Sequence, residues 1–440
     1  AAQSAPATDA AEDSRASAPA AGPRVVEVPL VESDLLVLKV RRKFLLNDTL
    51  RELTRVLEMD GLHRLAGRPI SELRKPLVVH FEGEDGVDEG GLRKEFFQLL
   101  MKEILEPIHS SPADTSQDQR QHGFFRWCAD SQRYWFWPEK RDPAGAEGWL
   151  RDTMTMLGTL FGLAAYNGIL LNAPFPEFLY EMIIDEGVLG KKGLQQKLAL
   201  LHQIYPSEAS SLSTLLNLSD AELEEVEQTF QITVQTLREE ATAGGKSPLV
   251  EKLIDLKPDA ANIMVNGTNR KEFCDLYCTY LLEKSVAAQL QPFRAGFLQV
   301  VGGKVVSLCS AAELSLMVSG HPLSLSENGL RDLEAVTKYA GGYTAQSPTI
   351  RWFWQHVHSP KTSDEWRRRL LLFTTGTDRL PILGLRSLRF VIQRAGDDQN
   401  HLPVAHTCFN TLDLPEYATP AVLKERLAKA LEHVTGFGLV

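Results

Sequence analysis

Leu402-Pro403-Val404-Ala405-His406-Thr407-Cys408-Phe409-Asn410, continued by Thr411-Leu412-Asp413-Leu414-Pro415-Glu416-Tyr417, is the stretch on which the reading of this 440-residue chain turns. Val404–Phe409 reads as a short strand that enters a polar turn. A cysteine at such a strand end can present its sulfur to solvent, as a nucleophile must. His406, two residues earlier, could raise thiolate character, although residues i and i+2 of a strand share a face only loosely. A plain buried strand cysteine is the competing reading, and on these features alone it is favoured. Spacing does not decide between them.

Working outward, Leu370–Thr374 and Ser387–Gln393, with Leu388, Phe390 and Ile392 alternating, read as further strands of the same unit. Thr419 as N-cap and Pro420 at the first helical position start a final helix to about Val434. The polar stretch Ser324–Arg331 predicts a short mobile hinge near Glu327–Asp332, separating this unit, residues 329–440, from residues 25–328. In the larger part, Leu45–Leu57 places Leu46, Leu50, Leu53 and Leu57 on one helical face behind the cap Asn47 or Asp48. Leu77–Phe81 is a strand, the acidic, glycine-rich run Glu82–Gly91 a loop, and 92–105 a helix with Phe96, Leu99 and Leu100 inward. Ser110–His122 is a polar surface loop and Tyr134–Trp137 a short aromatic strand. Residues 153–172 form one long helix. Thr153 to Pro176 carries no charge, but its length, Asn167, Asn172 and three glycines favour burial in protein over a membrane span. Residues 177–265 read as a smaller subdomain: helices at Gly193–Ile204 and Ala209–Leu218, an acidic run Asp220–Glu227, a strand Thr229–Val234 and a turn at Gly244-Gly245. Helical periodicity returns over Asn269–Phe293. Residues 1–24, with ten alanines and no Val, Leu, Ile or aromatic residue before residue 24, read as a disordered linker.

The composition, 43 % hydrophobic and 24 % charged, excludes collagen-like and wholly disordered chains. A net charge of −10 gives non-specific nucleic-acid binding little support. The five cysteines form no CxxC pair, and no signal peptide is evident, so a reducing compartment is expected: the cytoplasm, and also the nucleus. The chain opens on Ala1 rather than Met, which predicts a fragment of a longer protein. The sequence contains no GxxxxGK[ST], HExxH or GxSxG pattern, and no cofactor or metal is expected. Cys274 and Cys278, at i and i+4 on one helix, read as buried thiols, and His356 and His358 as structural residues of a strand or loop.

The His406–Asn410 segment with Leu412–Tyr417 is similar to the active-site stretch of HECT-type ubiquitin ligases, and the resemblance extends over nearly the whole chain from about Leu35. Phe81–Gly91 (FEGEDGVDEGG) with Lys94-Glu95-Phe96-Phe97, Gly162-Leu163-Ala164-x-Tyr166-Asn167, Asn269-Arg270-x-Glu272-Phe273, Phe373–Pro381 (FTTGTDRLP) and Gly436-Phe437 follow in the family's order. Val301-Gly302-Gly303-Lys304-Val305 and Pro381-Ile382-Leu383-Gly384 most resemble the small HERC-type group, then the E6-associated type. Residues 185–228 depart from the family pattern.

The resemblance implies an α+β, bilobal fold: a mainly helical N-lobe with the inserted subdomain, and a compact α/β C-lobe carrying catalysis. It implies that a ubiquitin-conjugating enzyme docks on the N-lobe and that ubiquitin passes to Cys408 as a thioester. A lysine of a protein substrate then attacks it. Thiolate attack on a thioester is nearly isoenergetic and needs an accessible sulfur in good geometry more than a strong base. His406 and Thr407 are then cysteine-positioning residues. Phe437 matches the tail residue that anchors the two lobes; the bland alternative is an aromatic packed on its own lobe. Asp88 assists the incoming lysine or merely caps a helix. Phe230 lies on a strand resembling the conjugating-enzyme contact surface, with a core role equally open. Two other functions remain as alternatives: an inactive scaffold for a conjugating enzyme, and a cysteine hydrolase of ubiquitin conjugates.

Overall fold

In the computed structural model, Leu36, Leu38 and Val40 of β1 (Leu36–Val40) and Leu77, Val79 and Phe81 of β2 (Leu77–Phe81) face one core, while Lys39 and His80 face out. This period of two is what a half-buried strand requires. The strands pair in parallel from Leu36↔Leu77 to Val40↔Phe81, and the crossover that parallel pairing demands contains α1 (Leu45–Met59). Residues 34–59, 71–84, 91–105, 123–142, 147–237, 249–322, 327–377, 379–380 and 384–432 are described. The expected linker 1–24, the loop 110–122, the turn Gly244-Gly245, Asp88 and Gly436-Phe437 lie outside them.

Asp48 stands in the first turn of α1 and is buried. It accepts from Arg41 three times, from the backbone N–H at 2.9 Å and from Nε and Nη2 at 2.8 Å each. These bonds hold its carboxyl well below the usual carboxylate range, against the opposing push of burial. A carboxylate whose folded pKa is depressed stabilises the fold above its unfolded value, near pH 4, and the contribution is lost as pH falls towards the folded value. Asp48→Ala should therefore cost about 1–3 kcal/mol at pH 7. The gap to the parent should narrow in urea titrations at pH 3; an equal gap at both pH values would mean that only packing was lost.

After α2 (Gly91–Leu105) come the hairpin β3 (Arg126–Cys128) and β4 (Arg133–Trp135), then α3 (Trp149–Tyr166). The expected helix at 153–172 thus starts earlier and stops at Asn167, where Gly168 takes a left-handed φ of +66°. No helix among the described residues is long and apolar enough to cross a membrane. Residues 177–265 carry α4 (Glu177–Ile184), α5 (Leu194–His202), α6 (Pro206–Asn217), α7 (Asp220–Val226) and the antiparallel pair β5 (Gln231–Leu237) and β6 (Leu249–Asp255). The helical periodicity expected over 269–293 is carried by two helices, α8 (Arg270–Leu282) and α9 (Ala287–Val301). Then follow α10 (Gly303–Val306), α11 (Ala311–Ser319) and the short strand β7 (His321–Pro322).

Three corrections concern the remainder. The hinge expected at Glu327–Asp332 is inside α12 (Glu327–Val336), because Leu330 and Leu333, buried at i and i+3, override the turn preference of Asn328-Gly329. The strand expected at Leu370–Thr374 is inside α14 (Asp364–Thr375), which Ser363 caps through its Oγ to the Trp366 N–H at 3.2 Å. A run of four apolar residues has no period to tell strand from helix. Between these helices lie β8 (Lys338–Ala340) and α13 (Pro348–His358). His356 and His358 are therefore helical, against the strand or loop expected for them. After α14 come β9 (Arg379–Leu380), β10 (Val391–Arg394), β11 (Val404–His406), β12 (Thr411–Leu414) and α15 (Pro420–Glu432). Four of the strands form one sheet in the order β11-β12-β10-β8, antiparallel only between β11 and β12.

The buried apolar side chains fall into two clusters, one drawn from residues 36–318 and one from 330–431. Strand β7 pairs with β9 between them, and Gly320, with φ +67°, lies so close to the Leu380 carbonyl that a Cβ would stand 2.6 Å from it.

Candidate functional site

Cys408 stands in the connection of the β11–β12 hairpin. The expected strand Val404–Phe409 ends at His406, and Thr407–Phe409 make one 3₁₀ turn. Asn410 closes it at φ +49°, a left-handed conformation that asparagine tolerates better than most residues. Its N–H donates to the Thr407 carbonyl at 3.3 Å, and its own carbonyl accepts from Val391 N–H at 3.0 Å, fixing the turn to β10. Phe409 is 54 % exposed, so the turn reaches solvent. Beneath it, Leu412, Leu414 and Tyr417 are buried, and the Tyr417 hydroxyl donates to His401 O at 2.6 Å. The apolar half of the motif is thus the footing of the hairpin.

Two polar contacts frame the turn. His406 Nε2 lies 3.0 Å from Asp413 Oδ2, with the imidazole 53 % exposed and Asp413 Oδ1 buried without a hydrogen-bond partner. The strand register, His406↔Thr411 and Val404↔Asp413, makes the two residues diagonal neighbours on one face. The sequence reading missed this pair. Lys94, from the first turn of α2, donates through Nζ to Thr407 O at 3.2 Å and to Asn410 Oδ1 at 2.6 Å. One ammonium therefore meets the turn on both sides of Cys408, and it comes from the other core. Thr407, expected to position the cysteine, takes part through its carbonyl.

The other cysteines are poor candidates for a nucleophile. Cys128, Cys274 and Cys278 are buried, and burial pushes their thiols up to about 11, 11 and 12. Cys309 is partly exposed, and its thiol donates to Val305 O at 3.8 Å. Phe230 has no exposed surface. Its ring meets Phe273 edge-on with centroids 5.4 Å apart, and Lys257 Nζ sits 3.7 Å from its centroid. It is a core residue, so an exposed aromatic anchor at this position is corrected. Asp88 and Phe437 are outside the described residues. Among the described residues no group of His, Cys, Asp or Glu could hold a metal ion.

A model of the HECT-domain (ubiquitin-transferase) family matches residues 113–440. The chain belongs to this family. It is 36 % identical over 418 residues to a probable E3 ubiquitin-protein ligase HERC4 of Homo sapiens, covering 94 % of this chain and 34 % of that protein. It is 37 % identical over 415 residues to a probable E3 ubiquitin-protein ligase HERC3 of Homo sapiens, again 94 % and 34 %. With a probable E3 ubiquitin-protein ligase HECTD2 of Mus musculus it shares 34 % over 410 residues, 92 % of this chain and 46 % of that protein. The chain thus spans about a third to a half of the length of these relatives.

Three of the HECT motifs quoted from the sequence meet at one place. Lys94 of the Lys94–Phe97 motif holds the Cys408 turn. One helical turn on, Gln98 packs on Gly376, which ends α14 at φ +71° within the Phe373–Pro381 motif. There Thr374 Oγ1 donates to Leu370 O at 2.8 Å and Thr375 Oγ1 to Leu371 O at 2.7 Å, both within the last turns of the helix. Other HECT motif residues are structural: Asn269 Nδ2 donates to Met264 O at 2.9 Å ahead of α8, and Asn167 Nδ2 donates to Leu163 O at 2.8 Å at the end of α3.

Proposed function

We propose that this chain is a ubiquitin-protein ligase domain that accepts ubiquitin from a conjugating enzyme as a thioester on Cys408 and transfers it to lysine of a protein substrate. The observation that carries the reading is the station of Cys408, on a hairpin turn that reaches solvent, while three of the other cysteines are buried among apolar side chains. In the reaction the Cys408 thiolate attacks the conjugating enzyme's thioester carbonyl and displaces that enzyme's cysteine thiolate. A neutral lysine amine then attacks the new thioester, Cys408 leaves as thiolate, and the amine's proton passes to solvent. The two apolar clusters serve as the two lobes between which ubiquitin is collected and delivered. The His406–Asp413 pair is what favours the hydrolase reading, since it orients an imidazole near a cysteine.

One assay separates the readings. The chain is incubated with activating enzyme, a panel of conjugating enzymes and ubiquitin, then run without reductant. A thiol-sensitive adduct supports transfer, none supports a scaffold, and cleavage of preformed chains supports a hydrolase. Phe437 is proposed to dock between the lobes for lysine attack. Burying a phenylalanine is worth about 1.5–3 kcal/mol, so Phe437→Ala should slow single-turnover discharge to lysine about 10- to 100-fold while sparing loading. Asp88→Asn should do the same if the carboxylate assists the lysine. Equal losses in loading and discharge would return Phe437 to the core of its own lobe.

A further inference from the structure

The Cys408 turn is tied at both ends to one atom. Lys94 Nζ donates to the carbonyl of the residue before the cysteine and to the side chain of the residue two after it, across 313 and 316 residues of chain. The helix that supplies it cannot readily yield, because Phe96, Phe97 and Leu100 bury α2 in the first cluster. Asn410 holds the left-handed φ that ends the turn, so its acceptor oxygen belongs to a fixed backbone shape. Gln98, one turn along α2, rests on Gly376 of the second cluster's α14.

We propose that Lys94 is a positioning residue for the discharge of Cys408: it seats the cysteine turn on α2 in the arrangement from which an amine attacks. The proposal rests on the reading of Cys408 as the thioester carrier. Attack on a thioester needs the reacting atoms about 3–3.5 Å apart and aligned, and a misplacement of about 1 Å can cost 10²-fold. Pinning the turn on both sides of the cysteine supplies that alignment. Seating also covers one side of the turn with α2. A folded donor protein must avoid that side, whereas a lysine side chain is slender enough to enter beside it. The seat therefore acts on discharge more than on loading. An ammonium that donates two hydrogen bonds from one atom suits the task, and arginine keeps the charge and the donor capacity on a longer, forked head.

The test loads Cys408 of the full chain, removes the donor, and follows discharge to free lysine in single turnover. Lys94→Met keeps the aliphatic stem and removes the charge; Asn410→Gly removes the acceptor and keeps a left-handed backbone accessible. Each should slow discharge about 10- to 100-fold, the worth of hydrogen bonds from a charged donor, with a smaller effect on loading. The double variant should be no slower than the slower single, and Lys94→Arg should discharge near the parental rate. A parent chain that forms no thioester contradicts the functional reading itself. A parent that loads, with Lys94→Met and Asn410→Gly discharging at its rate or losing loading and discharge equally, overturns the role of Lys94 alone. If Lys94→Met does not fold, Asn410→Gly and Lys94→Arg still decide, the first by slowing and the second by not.

Discussion

Cys408→Ala should abolish the ubiquitin thioester and all transfer to lysine while leaving unfolding by urea unchanged. The turn that carries residue 408 is held by neighbours, through the Asn410 N–H on Thr407 O and Lys94 on Thr407 O and Asn410 Oδ1. Its backbone therefore does not depend on the cysteine. Cys408→Ser should trap an oxyester that resists thiol and yields to hydroxide. Activity lost together with cooperative unfolding would show that residue 408 supports the fold. A thiol-sensitive adduct surviving in Cys408→Ala would move the assignment to Cys309, which is partly exposed where Cys128, Cys274 and Cys278 are buried.

The second large effect belongs to the crossing of α3 and α9. A Cβ added at Gly158 would lie 1.9 Å from the Phe293 carbonyl oxygen, and one at Gly296 1.9 Å from the Thr155 carbonyl oxygen. Both obstacles are backbone, which cannot rotate away. Alanine gains about 1 kcal/mol of helix propensity over glycine, but overpacking a tight core costs about 1–3 kcal/mol and more where nothing yields. Overpacking wins. Gly158→Ala and Gly296→Ala should each destabilise by roughly 2 kcal/mol or more and lower Tm by several degrees, at about 2–4 °C per kcal/mol. Because the two glycines meet at one crossing, the double variant should depart from additivity. Gly162, whose Cβ would meet the Val300 side chain at 2.9 Å, should be milder. Unchanged Tm in all three would mean that the helices slide apart freely.

What was legible in the sequence follows the range of the interaction. The alternation in Leu77–Phe81, the apolar face of Leu45–Leu57 and the Thr419-Pro420 helix start are local signals, and each element stands within a few residues of its expected place. The apolar run at Leu370–Phe373 has no period, and the cue that marks it as helical lies upstream, in Ser363 with Asp364-Glu365. At Asn328-Gly329 local turn chemistry lost to the burial of Leu330 and Leu333. The motif points to Cys408, while the local alternation extends the strand through Phe409, where the structure has a 3₁₀ turn. The His406–Asp413 pair was accessible in principle, since a tight hairpin puts them diagonally on one face. The Lys94 contact was not, because nothing local links residues 94 and 410.

The central claim is that ubiquitin rides on Cys408. The direct measurement is mass spectrometry of the thiol-sensitive adduct, digested under mildly acidic conditions that preserve thioesters. The account predicts the C-terminal glycine of ubiquitin on the peptide containing His406-Thr407-Cys408-Phe409-Asn410. The same modification on the peptide containing Cys309, or a loaded chain with Cys408 unmodified, would contradict it.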